Sequence, residues 1–175
     1  MATHDARDRL QPVLLDRLTD RAPASQLDAD DARVMSKAQI REAVLRDLAW
    51  LLNAVKPMPG LADSFPQAAT SVLNYGLPPM SGQMASRIDI TVLERTIKEA
   101  ILQFEPRVMA ASLEVKAIDA SSMLDTHNVI EFEISGFMWA QPVPLELLLR
   151  TEVDLEAGQV QVRDMATGGP SRRRS

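Results

Sequence analysis

The spacing of apolar residues along this chain changes once, and the change falls at Phe104-Glu105-Pro106-Arg107. Before it, Leu93, Ile97, Ala100, Ile101 and Phe104 recur at helical spacing, so about Thr91 to Phe104 reads as a helix with one apolar stripe. Pro106 disfavours helix at the residue before it, so the helix stops near Glu105. After it, Leu113, Val115 and Ala117 alternate with Glu114 and Lys116. The same alternation returns at Ile130-Phe132-Ile134, at Leu147 to Leu155 and at Val160 and Val162, which makes strands with one buried face. The Glu156-Ala157-Gly158 turn joins the last two as a hairpin. Helices first and strands second predict an α+β fold, with N-terminal helices packed on one face of a mainly antiparallel C-terminal sheet of about four strands.

Further helices are legible upstream. Leu10, Val13, Leu14 and Leu18 share helical spacing, with Pro12 tolerated in a first turn. Ser36 and Gln39 form a possible capping box, followed by a stripe of Ile40, Val44, Leu48, Leu51 and Val55 down to Lys56. Trp50 sits beside that stripe and reads as core edge or, as the alternative, a contact residue, and Pro57-Met58-Pro59-Gly60 ends the helix. A short helix is expected from about Pro66 to Tyr75, capped by Ser64. Gly76 then suits the left-handed position of a Schellman stop, with Leu77 packing back on Val72. Thr91 and Glu94 suggest a second capping box. The expected organisation is a flexible N-terminus over 1–9, one domain over 10–164 with a loop or linker over 19–35, and a disordered tail over 165–175.

Composition excludes several functions. Aromatics make up only 4% of 175 residues, so aliphatic side chains and Met must fill the core. With no cysteine there is no disulfide, thiolate nucleophile or sulfur metal site. The net charge is −5 although Arg172 to Arg174 crowd the tail, so the body is more acidic still, which argues against nucleic-acid binding. No apolar run approaches the roughly 20 residues that span a bilayer. The N-terminus lacks the basic-then-apolar order of a signal peptide, and a cytoplasmic location is expected. Of the two histidines, His4 lies at a frayed end and His127 in a turn, and neither has a second ligand spaced for a metal. There is no Gly-x-Ser-x-Gly elbow and no glycine-rich phosphate loop, so no cofactor is expected.

Two places carry charge or apolar surface that local stability does not explain. Glu105 puts a carboxylate at the negative end of a helix, where a cation is needed nearby; Arg107 or a partner's arginine could supply it, unless Glu105 is merely solvated. A glycosidase would need two carboxylates across a cleft, with Glu105 as acid and Glu131 or Glu133 as partner. A neighbouring guanidinium favours the ionised carboxylate, the wrong form for a general acid. Arg150 shares a side with Glu152 and Asp154 and can lie across from Glu131 and Glu133, where such cross-strand pairs contribute about 0.2–1 kcal/mol each. Phe137 and Trp139 share a face with those glutamates, either as exposed anchors near Pro142 and Pro144 or packed against a long loop.

Ordered segments of the chain resemble one family. Val13-Leu14-Leu15-Asp16-Arg17-Leu18-Thr19-Asp20 is similar to its N-terminal signature and Ala43 to Asn53 to its long helix. Ser71-Val72-Leu73-Asn74-Tyr75-Gly76-Leu77-Pro78 is similar to its central motif and Phe104-Glu105-Pro106-Arg107 to its Glu-Pro-Arg motif. Trp139 to Pro144 and Leu149 to Leu155 are similar to its sheet. The family is TssE, the type VI secretion baseplate wedge subunit, which is similar to a phage-tail wedge protein labelled lysozyme-like. The resemblance runs from about 10 to 164. It implies a structural, non-enzymatic subunit without cofactor, in a baseplate docked at the inner membrane but not inserted in it. The implied partners are the other wedge subunits (TssF, TssG, TssK), contractile sheath subunits on which polymerisation starts and, as a further candidate, the spike hub. The implied partner-binding residues are Glu105, Pro106, Arg107, Trp139 and Arg150. The acidic stretch around Asp28, Asp30 and Asp31 departs from the family pattern. The alternatives are a peptidoglycan-hydrolysing lysozyme-like enzyme and a small regulatory adaptor.

Overall fold

The computed structural model of the chain describes residues 13–19, 35–57, 64–80, 89–118, 129–140 and 143–165. The expectations for 1–9, most of the 19–35 segment, His4, His127, Pro142 and the arginine tail lie outside them.

Among the described residues, four α-helices precede four strands: α1 Leu14–Leu18, α2 Lys37–Asn53, α3 Pro66–Ala69 and α4 Ile90–Phe104, then β1 Glu114–Ile118, β2 Val129–Met138, β3 Leu145–Asp154 and β4 Gln159–Asp164. The strands form one antiparallel meander in the order β1-β2-β3-β4, as the alternating pattern requires. Residues Ile130, Phe132, Ile134, Met138, Leu147, Leu149 and Val153 line the buried face. Ile40, Val44, Leu48 and Leu51 of α2 and Leu93, Ile97, Ala100 and Ile101 of α4 complete the core. The fold is therefore α+β with helices over one sheet face.

The local devices show where sequence pattern suffices. Ser36 and Gln39 close the expected capping box on α2, which contributes about 1 kcal/mol. On α4 the cap is Asp89, which accepts from the amides of Thr91 and Val92. Glu94 does not close a box with Thr91; its carboxylate accepts from the Ala117 amide at 2.7 Å, a tertiary bond that outcompetes the local one. Gly76 has φ +112°, and a Cβ there would sit 2.3 Å from the Ala54 carbonyl oxygen. The expected Schellman contact is absent, because Leu77 pairs with Val55 and enters the core while Val72 stays 78% exposed. The region around it is α3 followed by a 3-10 turn, Val72–Asn74, rather than one helix, and Phe65, not Ser64, occupies the α3 cap position.

Four further expectations differ from the structure. Helix α2 ends at Asn53, so Val55 leaves the stripe and is exposed. Trp50 is not core edge: it is 53% exposed, with the Arg46 guanidinium 5.2 Å from its ring centroid. The described part of the first helix is only Leu14–Leu18, and Leu14 and Leu18 face outward. Met165, placed in the tail, still donates its amide to the Leu148 carbonyl and so continues the β3–β4 pairing.

Two contacts fasten α2 to the sheet. Arg41 grips Asp164 through Nε and Nη2 and donates Nη1 to the Glu146 carbonyl at 2.7 Å. Asn53 bonds both main-chain groups of Val160, accepting from its N–H at 2.9 Å and donating to its C=O at 2.8 Å.

Candidate partner-binding site

The Glu-Pro-Arg segment turns the chain from α4 into the sheet. Pro106 stops the helix, and Glu105 takes φ −120° and ψ 82° as the C-cap. Its side chain then folds inward and is 4% exposed, so it is not merely solvated. Glu105 Oε1 accepts from the Arg107 amide at 3.0 Å and from Arg107 Nε at 2.7 Å, and Oε2 accepts from Nη2. Arg107 Nη2 also donates to Asp47 Oδ2 on α2. The other Asp47 oxygen accepts from Arg46 Nε at 2.9 Å, and Arg46 Nη1 donates to Asp16 of α1 at 2.6 Å. Asp16, Arg46, Asp47, Arg107 and Glu105 thus form one line of alternating charge across α1, α2 and the end of α4. The cation that the helix end requires comes from within the chain.

Burial and charge work against each other here. Burial disfavours charge on Arg107, but Glu105 and then Asp47 outweigh it and hold the guanidinium above its ordinary value. Arg46 is raised mainly by its bond to Asp16. Tyr75, whose ring packs edge-on against Phe104 at 5.1 Å, is pushed up by burial and then by the charges of Asp47 and Glu105.

The same segment is sewn to β2. Met109 donates its amide to the Phe137 carbonyl at 2.8 Å, and Trp139 donates to the Arg107 carbonyl at 2.7 Å. Phe137, Trp139 and Met109 are 47%, 49% and 39% exposed. Trp139 therefore joins the Glu-Pro-Arg segment through main chain, and the residue is about half exposed among the described residues. Arg150 does not join this cluster. It stands on the open sheet face opposite Glu133 in register and binds Glu131 at 3.2 Å, the cross-strand role expected of it. Sequence reading assigned no role to Asp16, Arg46 or Asp47, because only the tertiary fold brings the three elements together. The available signal was a set of unpaired charges within three family-like segments.

Glu105 is buried and bound to Arg107, whereas Glu131 and Glu133 lie on the open face of the sheet. Among the described residues no group of three or more His, Cys, Asp or Glu could hold a metal, and no helix is long and apolar enough to cross a membrane.

The charge line is internally paired, with Glu105 buried and Arg46, Asp47 and Arg107 partly exposed. The sequence family described as baseplate wedge protein gp25 matches residues 38–143, from the start of α2 to just beyond β2. The chain belongs to this family, of which TssE is a member. Membership supports a structural role in a phage-tail-like baseplate, in contact with other baseplate components. The match includes Glu105, Pro106, Arg107 and Trp139 and leaves Asp16, β3 and β4 outside it. Neither a curated protein nor a solved structure matches the chain.

Proposed function

We propose that this chain is the TssE-type wedge subunit of a type VI secretion baseplate. In this reading it binds the other wedge subunits (TssF, TssG, TssK) on the cytoplasmic side of the inner membrane. It also offers the contractile sheath its first pairing surface. The observation that carries the reading is the Glu-Pro-Arg segment: it is held by Asp47 from below and presents Met109, Phe137 and Trp139 outward. Glu105 acts as a positioning residue and does not itself touch a partner, while Trp139 and the exposed part of Arg107 make contact. Exposed aromatic and arginine side chains of this kind are the usual anchors of interfaces. Arg150 contributes charge on the open face, where it sets specificity more than affinity.

The test is sheath assembly in cells, followed by fluorescence of a labelled sheath subunit. Trp139→Ala leaves the fold intact and is expected to reduce sheath formation strongly, with Arg150→Glu a weaker defect. Normal sheath number and length in the Trp139→Ala and Arg107→Ala strains would refute the assignment.

A further inference from the structure

We infer that α1 is a docking element for a neighbouring subunit. Asp16 hangs the helix on the body by its polar side, and Leu14, Arg17 and Leu18 form an outward face that fits an apolar groove with a carboxylate at its rim. The choice of a wedge subunit as the bearer of that groove rests on the function proposed above; the outward face rests on geometry alone.

An amphipathic helix of a folded chain turns its apolar stripe toward the core. Helix α1 does the reverse. At about 100° per residue, Leu14, Arg17 and Leu18 share one face and Asp16 lies on the opposite one. Leu14 is 71% exposed and Leu18 74%, and α1 contributes no buried residue. Its inward side chain is Asp16, which is 4% exposed and bound by Arg46 Nη1 at 2.6 Å. A helix of five residues is too short to hold itself in water, and this one is fastened by an ion pair rather than by burial. Leucines this exposed do little for the fold, because truncating a surface side chain changes stability little.

The same face carries a charge with no use inside the chain. Arg41, Arg46, Arg95, Arg107, Arg150 and Arg163 each have an acidic partner. Among the described residues Arg17 is the one arginine whose guanidinium has none. A free cation beside two exposed leucines calls for a partner surface that is apolar with a carboxylate next to it. The patch continues onto α2. The Arg46 guanidinium that holds Asp16 also lies 5.2 Å from the centre of the Trp50 ring, and Trp50 is 53% exposed.

Two other occupants fit less well. A second copy, related by a two-fold axis, would set this face against its own Arg17, while Asp16 is committed to Arg46. An anionic bilayer would meet a chain of net charge −5 through one free arginine of this face.

The test co-expresses the tagged full chain with the candidate wedge subunits and compares it with Leu14→Ser/Leu18→Ser and with Arg17→Glu. Both variants are expected to keep the melting temperature of the chain alone within about 3 °C. The double variant is expected to recover at least about tenfold less of the wedge subunits, and Arg17→Glu to show a smaller loss. In the complex the amides of Arg17 and Thr19 are expected to exchange at least about tenfold more slowly than in the chain alone. Full recovery with the double variant, or unchanged exchange in α1, overturns the proposal and leaves the wedge reading intact. A larger fall in the melting temperature also overturns it, because the leucines then serve the fold. Dimerisation of the chain alone, or its sedimentation with phosphatidylglycerol vesicles, that is lost in the double variant gives the face to a second copy or to lipid and overturns it. No recovery by the unsubstituted chain refutes the wedge reading, and this proposal with it.

Discussion

Removing the Glu105 carboxylate should test the charge line more sharply than any other single change. Glu105→Ala deletes the acceptor for three bonds, from the Arg107 amide, Nε and Nη2. It leaves Arg107 with Asp47 as the counter-charge beneath it. Breaking a fully buried pair by removing one partner costs about 3–5 kcal/mol, because an uncompensated charge stays behind. The pair here is asymmetric: the side chain of Glu105 is 4% exposed and that of Arg107 is 21% exposed, so water can reach the orphaned guanidinium. The expected cost is therefore lower, about 2–4 kcal/mol. For a chain of this size that corresponds to a melting-temperature drop of roughly 4–16 °C. Urea unfolding followed by tryptophan fluorescence gives the stability change, with near-unchanged m expected if the compact state is retained. A double-mutant cycle with Arg107→Ala separates the pair from its surroundings and should return a coupling of at least about 1 kcal/mol. A loss below about 0.5 kcal/mol for Glu105→Ala would put it among ordinary surface changes and refute the reasoning. The same result would return Glu105 to the role of a direct partner contact.

Tyr75 is the chain's one tyrosine, so tyrosinate absorbance reports it alone. Its folded value is raised, so the native state holds the proton longer than the unfolded chain does. Its contribution to stability is full below the unfolded value near 10 and is lost as pH rises through the folded value. Asp47→Asn should move the titration midpoint down, and an unchanged midpoint would contradict the assigned cause. Gly76→Ala should destabilise by more than about 1 kcal/mol, because φ +112° is strained for a side chain and Ala54 blocks the Cβ. Phe132→Ala, at a site with no exposure, should cost about 3–5 kcal/mol in denaturant unfolding. Phe137→Ala, half exposed on the open face, should stay within about 0.5 kcal/mol. Asp16→Ala should speed amide exchange in Leu14–Leu18 while leaving α2 unchanged, since its bond to Arg46 fastens that helix to the body.

What sequence patterning captured was whatever depends on local period. The stripe of Leu93, Ile97 and Ile101 and the alternation of Ile130, Phe132 and Ile134 became core because each is set by one repeating geometry. The cap at Ser36 was legible for the same reason: its partner Gln39 is three residues away. The failures share a physical cause. Glu94 looked like a cap partner, but a bond to Ala117, 23 residues on, held it instead. Leu77 looked like a helix stop contact, but the core near Val55 took it. At the site, the need for a cation beside Glu105 was readable from the helix end and Pro106, and Arg107 was a named candidate. That Asp47 and Arg46 would extend the pair to Asp16 was not, because this depends on how α1, α2 and α4 sit together.

Co-expression of a tagged copy with the candidate wedge subunits, followed by purification and a mass measurement, tests the central claim most directly. A stable complex that contains this chain in fixed stoichiometry is the result expected of a baseplate wedge subunit. A lone monomer, with the other subunits assembling without it, would contradict the account.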